Sequence, residues 1–470
     1  MDRRRWGLRA LVGAAVLAVI GTVQAGPGFE RLSDAAVVDA AFATSLGLPA
    51  GTPIEPVACA PVANRCTGSI QAAVDRVPAG TTAIVRVGPG VYFESVLVAG
   101  KSVHLVGDGG TVWIDGLGQG WPADGKRHGV VFDTAGGSSL RRIAVRRFTL
   151  ADHDNFRAAV KVMKSPGVLI SEVTSVDNSY EGIGLGESPD VVIERVIVRR
   201  NDAIGIGAWL SNNLVIRDSF IAENTDTGRY QAEAEQYRES AGIKTTESGN
   251  VTITRNTVQA NGSTGIWTDV GTHDSVISYN QVDNNLWHGI ETEISQRILV
   301  HHNTVLANAD GQSPFPSPRH GILVLDSNDI SVVANIVRHR KGDTELGWSQ
   351  AVRLAETPSR PVHPRIGQPQ TDTWGVVLDG NTIEELSSSG SLLGFYDPAG
   401  ARGATQMLAS SNLNYFRRVN GTFVATESAG VSRVSWIGVG GDIAALTQWR
   451  TWRCAGAAVC REAGSVLQTI

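Results

Sequence analysis

The chain has 470 residues, with 41 Lys+Arg against 46 Asp+Glu, a net charge of −5 and no long run of one sign. The absence of a basic stripe argues against nucleic-acid binding. With 53 glycines and only three methionines, the composition favours many turns and short strands over helices.

Residues 1–25 read as a removable signal peptide. Arg3, Arg4, Arg5 and Arg9 form a basic region, Ala10 to Ile20 is apolar, and Val23-Gln24-Ala25 supplies small residues for cleavage. The apolar run is too short to span a bilayer, and no later stretch is long enough. A secreted or periplasmic protein that does not enter a membrane is expected. The four cysteines form two close pairs, Cys59 with Cys66 and Cys454 with Cys460. Neither has zinc-site spacing, and export makes two local disulfides the better reading.

Residues 26–66 read as an N-terminal arm with one helix near Asp34 to Leu46. Ser69 to Val74 then predicts a short amphipathic helix, stopped by Pro78-Ala79-Gly80. From Asn155 the chain repeats: Asn178, Asn201 and Asn224 follow at 23-residue intervals, then Asn261, Asn285 and Asn308. Four residues after most of these a small residue opens an apolar alternation, as in Gly182-Ile183, Gly205-Ile206, Gly265-Ile266 and Gly289-Ile290. A second column reads Val173, Val196, Ser219, Asn256, Asn280 and Asn303. A fixed period in the low twenties indicates a solenoid. The units lack a Leu-rich consensus and carry short β-branched runs such as Val191-Val192-Ile193, which predicts three short strands per coil. The fold class is therefore all-β, a right-handed parallel β-helix over residues 67–395. Stacked asparagines fit as turn amides bonded from coil to coil. Beyond residue 395 the period fades, and residues 396–470 read as a C-terminal cap region, closed by the Cys454 and Cys460 pair.

The stretch Val85 to Glu94, followed by Leu105-Val106-Gly107-Asp108-Gly109-Gly110, resembles the entry segment of the pectate-lyase-like superfamily of right-handed β-helices. That resemblance implies a helix plugging the open end of the core. It implies a fold, not a reaction.

Strand residues alternate between core and solvent. With the Ile or Val after each small residue inward, positions two and four after the small residue face outward. The first outward column reads Lys161, Gly184, Gly207, Lys244, Trp267, Glu291, Leu323 and Arg353; the second reads Met163, Gly186, Trp209, Thr246, Asp269, Glu293, Leu325 and Ala355. Asp269 and Glu293 fall one coil apart, ~4.8 Å, and Glu291 and Glu293 ~6.7 Å apart along one strand. Three acids this close require protonation of one, a cation such as Lys244, or a metal such as Ca²⁺. Trp209 and Trp267 offer flat faces for sugar rings, and Arg353 is a further substrate-binding candidate. Insertions near Thr225 to Arg238, Ala309 to Pro318 and Lys341 to Gln350 precede strands of this face and would wall it. His288 and His320 occupy equivalent positions beside Glu291, as acid/base candidates or stacked turn residues.

Gly265-Ile266-Trp267-Thr268-Asp269 and Gly289-Ile290-Glu291-Thr292-Glu293-Ile294-Ser295 also resemble a group of exported bacterial β-helix proteins with Trp-Thr-Asp on one coil and Glu-Ile-Ser on the next. The match covers Trp267, Asp269 and Glu293.

These residues fit a monomeric, polysaccharide-active enzyme. As a glycoside hydrolase it would use Asp269 and Glu293 as the carboxylate pair, with Glu291 tuning them. As a lyase, Asp269, Glu291 and Glu293 would hold Ca²⁺ while Lys244 took a proton. A C5-epimerase is a further alternative, although Asp152-His153-Asp154 departs from the Asp-Pro-His-Asp pattern of mannuronan epimerases. A non-catalytic carbohydrate-binding β-helix needs no acid cluster. Acids outnumber bases, which favours hydrolysis.

Overall fold

A computed structural model describes residues 34–59, 61–62, 65–117, 128–148, 158–225, 240–308, 320–339, 350–355, 373–386, 391–397, 407–418, 425–429 and 465–469. The expected signal peptide, Asn155, Asp152-His153-Asp154, Trp348 and nearly all of the three insertions lie outside these residues. The chain divides into two units, Met1–Thr52 and Pro53–Ile470. In the first, one helix spans Asp34–Ser45. No helix among the described residues is long and apolar enough to cross a membrane.

The second unit is a right-handed parallel β-helix. Its chain visits three long parallel sheets in turn, with 13, 13 and 12 strands among the described residues. Every third strand pairs in parallel with its equivalent one coil on, as in Gly182-bearing Glu181–Gly186 against Ile206–Trp209. The core is one continuous column of apolar side chains. Ile183, Ile206, Ile243, Ile266, Ile290 and Ile322 are fully buried in register, as the alternation predicts.

Burying a corner amide is costly unless each polar atom finds a partner, and the asparagine columns meet that demand. Side-chain Nδ2 of Asn178, Asn201, Asn224, Asn261 and Asn285 donates to Oδ1 of the next member at 2.8–3.0 Å. The same Oδ1 also accepts the preceding member's backbone N–H. From Asn201 onward, Nδ2 donates in addition to a carbonyl one coil back, as Asn224 does to Val198. A second ladder runs Asn256, Asn280, Asn303, Asn335, Asn381 and Asn414 at a neighbouring corner. It carries the coil geometry past residue 395, where the sequence period is hard to see.

At the N-terminal end, helix Ile70–Arg76 buries Ile70, Ala73 and Val74 against the first coil. Ser69 caps it through Ala72 N, and the Glu94 carboxylate accepts the backbone N–H of Ile70 and Gln71. This satisfies donors that a helix start leaves unpaired. Lys101 donates to the carbonyls of Val74 and Val77 at the other end.

Of the two expected disulfides, Cys59–Cys66 is formed. It lies against Gly90, where a Cβ would stand 2.2 Å from Cys66 Sγ, so only glycine leaves it room. The second expected disulfide, between Cys454 and Cys460, is not among the described bonds, because Cys454 and Cys460 both lie outside the described residues.

Asn261→Ala removes the acceptor of two buried donors on Asn224. It should destabilise the protein by about 2–4 kcal/mol, read as a lowered denaturant midpoint, whereas the exposed Asn212→Ala exchange should cost less.

Candidate functional site on the third sheet

The outer face of the third sheet carries the expected columns. Lys161, Gly184, Gly207, Lys244, Trp267, Glu291, Leu323 and Arg353 stand in unbroken register. Trp209, Thr246 and Asp269 are neighbours in the second column, as are Glu293 and Leu325. The structure thus brings Lys244, Trp267, Asp269, Glu291 and Glu293 together on three consecutive coils. Arg353 lies two coils beyond Glu291 by backbone register.

Lys244 is the hinge of the cluster. Its Nζ lies 3.0 Å from Asp269 Oδ2 and 3.6 Å from the centroid of the Trp267 indole. An ammonium over an indole face is attracted by the ring quadrupole, more strongly when water is excluded. Here it is excluded: both side chains of the ion pair are nearly buried. Trp267 therefore departs from the expected role. It is 5% exposed, with one face occupied by Lys244, so it supports the lysine instead of offering an open platform. Trp209 is the half-exposed tryptophan of the face.

Glu291 is buried and accepts a hydrogen bond from Thr264 Oγ1 at 3.0 Å. Burial raises its pKa well above the ordinary carboxylate value; the nearby Glu293 and Asp269 raise it further, against the opposing pull of Thr264 and Lys244. Burial thus favours the protonated form of this group. In the hydrolytic reading of the sequence Glu291 tunes its neighbours; its burial and raised pKa suit it to hold a proton itself.

Among the described residues no group of three or more His, Cys, Asp and Glu side chains converges in a way that could hold a metal ion. The acids Asp269, Glu291 and Glu293 do not fit the Ca²⁺ site that the lyase reading requires. Lys244 answers the charge of Asp269 instead.

His288 and His320 are buried, with rings parallel within 4° and centroids 5.1 Å apart. His288 Nδ1 accepts the backbone N–H of His320, and Nε2 contacts Trp287 Nε1. A neutral imidazole has one acceptor nitrogen, so these two contacts compete for it. His301 and His302 lie at a different corner, beside Tyr279.

One residue of the face is absent from the sequence reading. Glu181 precedes the small residue Gly182, at the position that His288 and His320 hold in later coils. A Cβ at Gly182 would meet Val198 and the Asn201 amide in the interior. The chain turns the corner there, so the small residue and its successor both point inward while the preceding residue points out. The Glu181 carboxylate accordingly lies across the outer column: a Cβ on Gly184 or Gly207 would stand 2.5 or 2.9 Å from its Oε2. Thr264, in the same column, reaches Glu291 in the same way. The readable signal was the pair of glycines, which clear space for an acid one coil away.

The sequence matches the family described as right-handed β-helix region over residues 158–337. No curated protein matches it. Among solved structures, the Azotobacter vinelandii mannuronan C-5 epimerase AlgE6 A-module aligns with a TM-score of 0.53 at 14% identity, covering 85% of this chain and 94% of that one. The periplasmic alginate epimerase AlgG aligns with a TM-score of 0.47 at 17% identity, covering 76% and 81%. At these identities the likeness is one of fold.

Glu291→Gln should alter the pH dependence of stability. A folded-state pKa raised above the unfolded value contributes stability that is full at acidic pH and lost as pH rises through the raised pKa. Chemical unfolding from pH 4 upward should therefore show a fall for the wild type that the Gln variant lacks. Lys244→Met leaves Asp269 a buried, uncompensated anion and should cost about 3–5 kcal/mol, measured by the same unfolding.

Proposed function

Taking this chain as a right-handed parallel β-helix of the pectate-lyase-like superfamily, we propose that it is an exported enzyme that hydrolyses a polysaccharide on the third-sheet face. The observation that carries this reading is the division of labour between adjacent acids: burial raises the Glu291 pKa well above the ordinary carboxylate value, while Asp269 is engaged by an ammonium group. Glycoside hydrolysis needs one carboxylic acid to protonate the leaving oxygen and one carboxylate to act on the anomeric carbon, directly or through water. Glu291 is the proton donor. Glu293, two residues along the strand, supplies the carboxylate. Lys244 and Trp267 hold Asp269 beside them, so that the negative charge favouring an oxocarbenium-like transition state stays in place. Trp209 offers a ring face to the sugar.

The elimination reading asks Lys244 to accept a proton. An acceptor must present a lone pair, and an ammonium held between Asp269 and an indole face presents none. The stacked His288 and His320 are engaged with each other and with Trp287. Hydrolysis is favoured on these grounds.

The test is a panel of neutral and uronic polysaccharides, incubated with and without EDTA and followed by reducing ends and by the ultraviolet absorbance of unsaturated products. Reducing ends without absorbance, unaffected by EDTA, are expected. An EDTA-sensitive rise in absorbance would instead establish elimination. Glu291→Gln should lower kcat about a hundred- to ten-thousand-fold. Wild-type activity should fall as pH rises through the raised Glu291 pKa, because the donor must keep its proton. Intact activity in Glu291→Gln, Glu293→Gln and Asp269→Asn alike would show that the chemistry lies elsewhere.

A further inference from the structure

A protonated carboxyl group can hold its hydrogen on either oxygen, and the two oxygens of Glu291 are not equivalent. Oε2 accepts the Thr264 hydroxyl at 3.0 Å. Oε1 has no hydrogen-bond partner among the described residues and is not sealed from solvent. Thr264 opens the strand Thr264–Asp269, one coil before the strand Ile290–Glu293 that carries Glu291. It is buried, and a β-branched side chain is stiff about χ1, so its hydroxyl is held in one place. The charged groups that act on Glu291 are Glu293 on its own strand and Asp269 and Lys244 on the two preceding coils. His288 and His320 stand at the position of Thr264 in the next two coils. Among the described residues, Thr264 alone hydrogen-bonds to the Glu291 carboxyl group.

A hydroxyl has one hydrogen to give and lone pairs to receive. If Thr264 received a proton from Oε2, its own buried hydrogen would lose the one acceptor it has among the described residues. A buried donor left unpaired is disfavoured by roughly five- to a hundredfold. If Thr264 donates to Oε2, its hydrogen is paired and the acid's hydrogen sits on Oε1, where solvent or a substrate oxygen can accept it. The second arrangement satisfies every donor and wins. When the proton leaves Oε1 for a leaving oxygen, the electron pair of the O–H bond stays on the carboxylate. The bond from Thr264 then strengthens, because its acceptor has become charged.

We infer that Thr264 is a positioning residue for Glu291: its hydroxyl occupies Oε2 and so directs the carboxyl proton to Oε1, on the side open to solvent. This rests on the reading of Glu291 as the proton donor; the hydrogen bond at Oε2 stands without it.

Carbon-13 NMR of glutamate-labelled protein tests it. The δ-carbon resonance of Glu291, assigned by its loss in Glu291→Gln, is followed against pH alongside polysaccharide hydrolysis. Thr264→Val keeps the side chain's shape and removes the hydroxyl. Burial raises the Glu291 pKa and the Thr264 bond opposes that rise, so the Val variant should titrate higher by about half to one pH unit. Its kcat should fall about tenfold with KM nearly unchanged, and the alkaline limb of its pH profile should move up with the titration. Thr264→Ser keeps the hydroxyl and should restore both. Thr268→Val, on the same strand, removes a buried hydroxyl that has no hydrogen-bond partner and should move neither. Should Thr264→Val not fold, Thr264→Ala carries the same expectation.

The inference is overturned if removing the hydroxyl leaves the Glu291 titration in place, even where the unfolding midpoint drops. It is equally overturned if Thr264→Ser shifts the titration as far as Thr264→Val does, since side-chain packing would then be the cause. A titration that moves with Thr264 in a protein that cuts no polysaccharide would overturn the hydrolytic reading and leave Thr264 as the residue that places the Glu291 proton. Activity that vanishes in Glu291→Gln but is untouched in Thr264→Val would overturn only this inference.

Discussion

Everything on the candidate face depends on register between coils. A parallel coil can slide along its neighbour only in steps that change which residues meet, and the asparagine ladders forbid such slips. Each amide oxygen must accept from the coil before it, and each amide nitrogen must donate to the coil after it. Moving one coil by a residue would leave several buried polar groups unpaired, at a cost comparable to a sizeable part of a domain's net stability. The ladders therefore hold Lys244 beside Trp267, and Trp267 beside Glu291, from the corners of the coil.

That rigidity is what allows a face with so many acids. Two acids on one strand and a third one coil away would ordinarily spread into solvent to relieve repulsion. Here the backbone spacing is set elsewhere, and the repulsion is relieved chemically: one acid pairs with Lys244 and another has its pKa raised toward the protonated form. The indole beneath Lys244 strengthens this arrangement by excluding water from the pair. A fold-imposed spacing thus becomes a difference in protonation between neighbours, and such a difference is what acid–base chemistry on a sugar requires. The same spacing lays the Glu181 carboxylate over two glycines.

The columns of the face were legible because period and alternation suffice to place them. Ile183 and its successors are buried in register, and Lys244, Trp267, Asp269, Glu291 and Glu293 do share one surface. The corner itself was not legible. Strict alternation would send Gly182 outward and Glu181 inward, whereas the bend reverses both. A bend is a property of how two sheets meet, which no count along one strand contains. Trp267 illustrates the same limit: its position was readable, but not that Lys244 would fold over its ring.

By itself the sequence determined the solenoid, its period, the inward column and the set of outward-facing residues on each strand, because these follow from chemistry repeated at fixed intervals along the chain. Only the tertiary structure decided which outward groups pair, which are buried deeply enough for their pKa to rise and which neighbouring coil a side chain leans toward. Those outcomes depend on distances of a few ångströms and on the exclusion of water. Both arise between coils, and neither is written within one.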